Sequence, residues 1–147
     1  MNPTLGTLRG HVLEIGSSRR HASYAKGVHV DIYEPSKRIR NEIEPDVDAK
    51  LTITEQIPDR KYDAIVVSYV YEILKENKAQ ELSAIIGARL RIDGLCIVFE
   101  RIRPKLIEFL LRRWTGTTIE DTEHGLKAVD SYTEKGVRVR VYRRVVR

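Results

Sequence analysis

The chain has 147 residues, a length that suits one domain. Hydrophobic residues make up 41% and charged residues 32%, so a soluble globular protein with an adequate core is expected. No apolar run approaches the roughly 20 residues of a membrane span, so no membrane partner is expected. Residues Met1–Gly6 lack signal-peptide character. The single cysteine, Cys96, excludes an intrachain disulfide framework and a cysteine-rich zinc site. A cytoplasmic location is the resulting expectation. The net charge of +5 and pI of about 9.4 permit a nucleic-acid or other polyanionic partner. The basic residues are mixed with 21 acids, which weakens that case. Asn and Gln are scarce while Lys, Arg and Glu are plentiful, which points to a thermophilic source.

Short β-rich runs alternate with helical stretches. Val12–Ile15 is the first expected strand. Arg19–Lys26 is a short helix or helical turn, and Val28–Ile32 is the second strand. Pro35–Ile43 opens with proline, a good first helical residue. Asp46–Leu51 is a weak third strand. Tyr62–Ser68, with its continuous β-branched run, predicts a buried central strand. A helix follows from Lys78 to Arg91, with Asn77 and Gln80 placed as a cap and its reciprocal partner. Leu82, Ile85, Ile86 and Leu90 give it an apolar stripe at helical spacing, which Arg89 interrupts. Asp93-Gly94 reads as a turn and Leu95–Glu100 as another buried strand. Pro104–Trp114 predicts a helix with the stripe Leu106, Ile107, Leu110, Leu111 and Trp114. Lys127–Tyr132 and Val137–Val145 flank a turn at Glu134-Lys135-Gly136 and read as a hairpin. The predicted class is α/β, a single doubly wound, mostly parallel sheet with helices on both faces and an antiparallel C-terminal hairpin. No internal repeat or linker divides residues 1–147.

Two stretches point to chemistry. His11-Val-Leu-Glu14-Ile-Gly16-Ser17-Ser18 is an apolar run that carries an acid and breaks at a glycine. Val30-Asp31-Ile32 is a second apolar run with an acid. In an open α/β sheet, ligands bind beyond the carboxyl ends of the strands where strand order reverses. The loop after Gly16 lacks the further glycines that admit a pyrophosphate, which disfavours a dinucleotide. Glu14 beside this loop would repel phosphate and suit a cation. An acid roughly 20 residues beyond such a loop accepts hydrogen bonds from ribose hydroxyls. Asp31 and Glu34 both fall near that distance. Asp31 is preferred because a strand end is held more rigidly, while Glu34 or Ser36 is better placed to cap the following helix.

In these residues the chain resembles the Rossmann-like (class I) S-adenosylmethionine-dependent methyltransferases. Val12-Leu-Glu14-Ile-Gly16-Ser-Ser18 matches the family's first strand and glycine loop. Val30-Asp31-Ile32-Tyr33 matches the end of its second strand. Tyr62-Asp63-Ala-Ile65-Val-Val-Ser68-Tyr-Val70-Tyr-Glu72-Ile-Leu74 matches its fourth strand and exit, and Leu90-Arg-Ile-Asp-Gly94 loosely matches the approach to its fifth. The match covers Gly10 to Glu100. The resemblance implies a single minimal methyltransferase-like domain that binds S-adenosylmethionine, a cofactor with a sulfonium cation and no phosphate. By the same resemblance, Glu14 serves the amino-acid end of the cofactor. Gly16 and Ser17 let the backbone pass close to it, Asp31 holds the ribose hydroxyls and Ile32 packs on the adenine. Residues near Asp48–Lys50 line the adenine edge, and Ser68 and Tyr69 face the methyl group. The chain departs from the pattern at Ser18, Arg20, Lys50 and Ile73.

The expected enzyme class is therefore a methyltransferase with an unidentified acceptor. The alternatives are a non-catalytic S-adenosylmethionine-binding or scaffold subunit and a basic nucleic-acid-binding α/β module. Ser68-Tyr-Val-Tyr replaces the Asn/Asp-Pro-Pro-Tyr/Phe run of enzymes acting on amides and exocyclic amines, which disfavours such acceptors. Cys96 falls in a buried strand and reads as core. His21, His124 and Tyr69 are the candidate general bases, whereas His11 and His29 read as structural. The histidines have no metal-ligand spacing. Arg138, Arg140, Arg143, Arg144 and Arg147 read as charge protection of an edge strand in preference to a phosphate track. The first strand begins so early that no N-terminal cap precedes it. That suits an open face for a macromolecular acceptor, or a pocket completed by a second subunit of a homo-oligomer or partner.

Overall fold

The structure is a computed structural model, and it describes residues 3–16, 24–43, 49–102 and 124–146. A helical turn, α1 (Pro3–Gly6), precedes β1 (His11–Ile15) and β2 (His29–Tyr33). These are followed by α2 (Lys37–Glu42), β3 (Lys50–Thr54), β4 (Tyr62–Ser68), a 3-10 turn (Tyr71–Ile73) and α3 (Glu76–Arg89). The chain closes with β5 (Leu90–Arg101), β6 (Leu126–Glu134) and β7 (Val137–Arg144). The strands form one seven-stranded sheet in the order β3-β2-β1-β4-β5-β7-β6. The first five are mutually parallel, and β7 runs antiparallel to both β5 and β6. The α/β sheet with its antiparallel closing hairpin is therefore observed as expected.

Each central strand has apolar side chains on both faces, so the sheet carries two cores. Leu13, Ile15, Ile65, Val67 and Cys96 pack with Leu82 and Ile86 of α3. Val12, Val30, Ile32, Ala64 and Val66 pack on the other face with Leu5, Leu8 and Tyr24. Burial pushes the Cys96 thiol far above its ordinary range, so it is an inert core residue, as the strand pattern implies.

Several boundaries differ from the expected ones. The second helix starts at Lys37, because Ser36 is its cap and the Ser36 hydroxyl accepts from Ile39 N at 3.4 Å. The third strand is Lys50–Thr54, set by its register on β2 from His29↔Lys50 to Tyr33↔Thr54. Residues 46–48 of the expected strand lie outside the described residues. α3 begins at Glu76 with Lys75 at the cap position and no side-chain cap bond, so Asn77 lies within the helix. Glu76 in the first turn complements the helix dipole instead. Asp93-Gly94 is a kink within β5, since the strand pairs at Tyr62↔Leu90 and resumes at Ala64↔Leu95. Asp93 takes a φ of 65° there. The hairpin turns at Lys135 and Gly136, both at positive φ, the two-residue geometry that matches strand twist. Residues 19–23 of the expected first helix, and the whole 104–114 helix, lie outside the described residues. No helix among the described residues is long and apolar enough to cross a membrane.

Ile86 is fully buried where α3 meets the sheet. Ile86→Ala is expected to lower unfolding free energy by about 2–5 kcal/mol in urea titration, with the far-ultraviolet spectrum unchanged.

Candidate functional site

The chain runs outward from β1 to β2 and β3, then returns to β4 on the opposite side of β1. The carboxyl ends of β1 and β4 therefore diverge into a crevice at the point where strand order reverses. A cavity of about 920 Å³ opens there. Its floor is formed by Ile15 and Gly16 after β1, Tyr33 and Glu34 after β2, and Ser68 and Tyr69 after β4. Leu82 and Ile85 of α3, Ile57 of the β3–β4 connection, and Ile73 and Leu74 line its apolar side.

Gly16 is held close to β4. Its φ is 76°, and a Cβ there would lie 2.7 Å from Val70 Cγ2 and 2.9 Å from Ser68 O. Glycine is required by both conformation and space. Its amide donates to Tyr33 O at 3.1 Å, which ties the ends of β1 and β2 together. Tyr69 follows β4 with a φ of 60°, a strained value for an aromatic residue, and its amide donates to Phe99 O at 3.0 Å.

Gly16, Ser68 and Tyr69 all line this cavity, while Ser17 lies outside the described residues. Ile32 does not reach the cavity. It is fully buried with Val12 and Val30 on the other face of the sheet. Asp31 faces the α3 side but lies one pleat below the strand exits, paired with Leu13 and Thr52. The Tyr62 hydroxyl donates to its Oδ2 at 2.7 Å. His11 Nε2 lies 3.2 Å from the same oxygen without the alignment of a hydrogen bond. The adjacent carboxylate and burial both raise the Tyr62 phenol above its ordinary range, burial being the larger cause.

Glu34 is the acid that reaches the cavity. β2 ends at Tyr33, one residue later than the apolar run suggests, so Glu34 stands at its exit. It is buried, and its Oε1 accepts from Ser36 N at 3.0 Å. No described residue donates to its other oxygen. Glu34 is the second acid that the spacing from Gly16 offers, and the extension of β2 to Tyr33 is what brings it to the cavity. Arg101, at the end of β5, also lines the cavity, and no sequence motif marks it.

Glu14 lies on the opposite sheet face from the cavity, level with Ile32 and Val66. It is buried, and its Oε1 accepts from the Tyr24 hydroxyl at 3.2 Å, while Oε2 is buried with no partner among the described residues. Burial pushes its carboxyl up from 4.5 to about 7, which the Tyr24 hydrogen bond only partly offsets. Of the candidate bases, His21 lies outside the described residues, as does Asp48 of the expected adenine edge. His124 sits against Gly87 near the C-terminal end of α3, away from the strand exits. Lys50 opens β3, beside His29 and away from the cavity. No group of three His, Cys, Asp or Glu among the described residues can hold a metal ion.

No protein-family model matches the sequence, and no curated protein matches it. Solved structures do. The fold is that of the Rossmann-like, class I S-adenosylmethionine-dependent methyltransferases. The chain is similar to DhpI in its SAH complex, with a TM-score of 0.63 at 13% identity, over 95% of this chain and 78% of that one. It is similar to the N-methyltransferase NodS from Bradyrhizobium japonicum WM9 in complex with S-adenosyl-L-homocysteine, with a TM-score of 0.64 at 14% identity, over 92% and 78%. It is also similar to the Methanococcus jannaschii fibrillarin pre-rRNA processing protein, with a TM-score of 0.58 at 16% identity, over 95% and 68%. At such identities the likeness establishes the fold.

Between pH 4.5 and about 7, folded Glu14 retains a proton that the unfolded chain has released. Stability is therefore expected to fall as pH rises through this window, by at most about 3 kcal/mol. In Glu14→Gln that fall should be absent. Urea unfolding of both proteins at pH 5 and pH 8 measures the difference.

Proposed function

We propose that this chain is an S-adenosylmethionine-dependent methyltransferase that binds its cofactor at the ends of β1, β2 and β4. The observation that carries the reading is the buried Glu34 carboxylate standing at the exit of β2, in a cavity floored by Gly16. The residues fit such a cofactor. The cavity of about 920 Å³ is within the range of small-ligand sites. The glycine exit leaves main chain open to close approach. Glu34, with one oxygen fixed by Ser36 N, would accept from the ribose hydroxyls with the other. Tyr33, Pro35 and Ile57 supply apolar surface for the adenine. Glu14, on the opposite face of the sheet, does not line this cavity. Ser68 and Tyr69 would border the methyl position.

When bound, the cofactor supplies an activated methyl group on a sulfonium leaving group. The chain's part is to position acceptor and methyl in line, which by itself supplies much of the rate.

Calorimetric titration with S-adenosylmethionine tests the reading, and absence of binding at millimolar cofactor would reject it. Glu34→Gln is expected to weaken binding by about 10–100-fold, the loss of hydrogen bonds to a charged group. Asp31→Asn should change affinity by less than about threefold, and instead lower stability by about 1–3 kcal/mol through its bond to Tyr62.

A further inference from the structure

One wall of the cavity is aliphatic and open to water, and the cofactor contacts proposed above leave it unused. It is built by the Tyr71–Ile73 turn with Leu74, and by α3. Tyr71 is fully buried, and its hydroxyl lies 2.8 Å from Ser83 Oγ of α3. Ser83 Oγ donates to Ala79 O at 2.9 Å, so the tyrosine is the donor of the pair. With Tyr71 turned inward, Ile73 is turned outward and is 66% exposed. Leu74 beside it is partly buried against the core. On α3, Ala79, Ser83 and Ile86 are buried, and the stripe that lines the cavity is Lys78, Glu81, Leu82 and Ile85, at helical spacing. Ile85 is 37% exposed.

The two charged residues that α3 gives the cavity offset each other. Lys78 and Glu81 form an exposed pair at 3.2 Å, and the rest of the stripe is aliphatic. Recognition at this wall therefore falls to the removal of apolar surface from water. A single exposed isoleucine is ordinary. Here two of them line one concave site, together with Leu74 and Leu82. The cavity of about 920 Å³ lies near the top of the roughly 300–1,000 Å³ range of small-molecule sites, which leaves room for a second, smaller molecule beside a cofactor. Ser68 and Tyr69, assigned above to the methyl position, line the same cavity. A molecule lying on the aliphatic wall can thus bring one end to them.

We propose that Ile73, Leu74, Leu82 and Ile85 form the acceptor subsite, and that the acceptor is a small molecule with an uncharged apolar body. This rests on the methyltransferase reading. The body lies on the aliphatic wall, and the atom to be methylated is at the end nearer Ser68 and Tyr69. Selection is by apolar area. Each methylene removed from water adds affinity, whereas a polar group laid on this wall gives up its water without gaining a partner.

Calorimetry tests this without turnover. The protein is saturated with S-adenosylhomocysteine and titrated with 1-butanol, 1-hexanol and 1-octanol. Affinity should rise about fourfold per methylene. The diol 1,6-hexanediol should bind at least about tenfold more weakly than 1-hexanol. In the double variant Ile73→Ser, Ile85→Ser the rise should drop below about twofold per methylene. Its affinity for S-adenosylhomocysteine should stay within about threefold of the unsubstituted value, since both positions are exposed and assigned to the acceptor. Ile92→Ser, at a position 52% exposed and outside the cavity lining, should leave the rise unchanged. In NMR spectra of the ternary complex, the hydroxyl-bearing carbon of 1-hexanol should show Overhauser contacts to the methylenes that flank the cofactor sulfur. Affinity independent of chain length, a rise that survives the double variant, displacement of S-adenosylhomocysteine by 1-hexanol, or absence of those contacts would overturn the assignment while leaving the methyltransferase reading intact. So would sedimentation as a dimer that the double variant converts to a monomer, because a second copy would then cover the wall. Failure of the unsubstituted protein to bind S-adenosylhomocysteine would overturn both.

Discussion

The approach of Gly16 to the last residue of β4 sets the geometry on which the rest of the site depends. A Cβ at this position would meet Ser68 O and Val70 Cγ2 inside contact distance. The chain must leave β1 in a left-handed turn with no side chain, at the place where the strand order reverses. Around this turn main-chain bonds tie the exit of β1 to that of β2, and the exit of β4 to β5. Gly16 N reaches Tyr33 O, and Tyr69 N reaches Phe99 O of β5. Four strand ends therefore present their main chain to one crevice with little freedom to shift.

The two acids near the end of β2 show how depth along one strand decides what a buried carboxylate meets. Asp31 accepts from the buried Tyr62 hydroxyl of β4, with His11 Nε2 of β1 close by. Glu34 is three residues further on, past the last strand residue, and it meets the crevice. Both are buried, but only the second lines the cavity. Glu14 makes the same point across the sheet. It lies beside the glycine turn in sequence yet projects to the opposite face, where burial favours its protonated form.

The parts of the fold set by continuous burial were legible in the sequence. Tyr62–Ser68 is strand from end to end as its apolar run requires, and the closing hairpin follows its Lys-Gly turn. Boundaries set by hydrogen bonding were not. β3 takes its register from β2, although most of its side chains are only partly buried or exposed. β5 absorbs Asp93-Gly94 as a kink, because Leu90 pairs with Tyr62 before it. Of the candidate site residues, Gly16, Ser68 and Tyr69 stand in the motifs and line the cavity. Glu34 reaches it because β2 runs one residue past the end of the apolar run.

The junction between α3 and β5 has no loop. Leu90 is both the C-cap residue of the helix and the first residue of the strand. Arg89 and Ala88 in the last helical turn also bind the β3–β4 connection, through Pro58 O, Asp59 and the Lys61 ammonium. A force applied to α3 is therefore carried directly into β5 and, through its kink, to the neighbouring strands. The helix cannot hinge at this end without breaking sheet pairing. Toward its other end α3 is held by a side-chain bond instead, the buried Tyr71 hydroxyl and Ser83 Oγ lying 2.8 Å apart. The helix is thus a brace, fixed to the sheet by main chain at one end and by one hydroxyl pair toward the other.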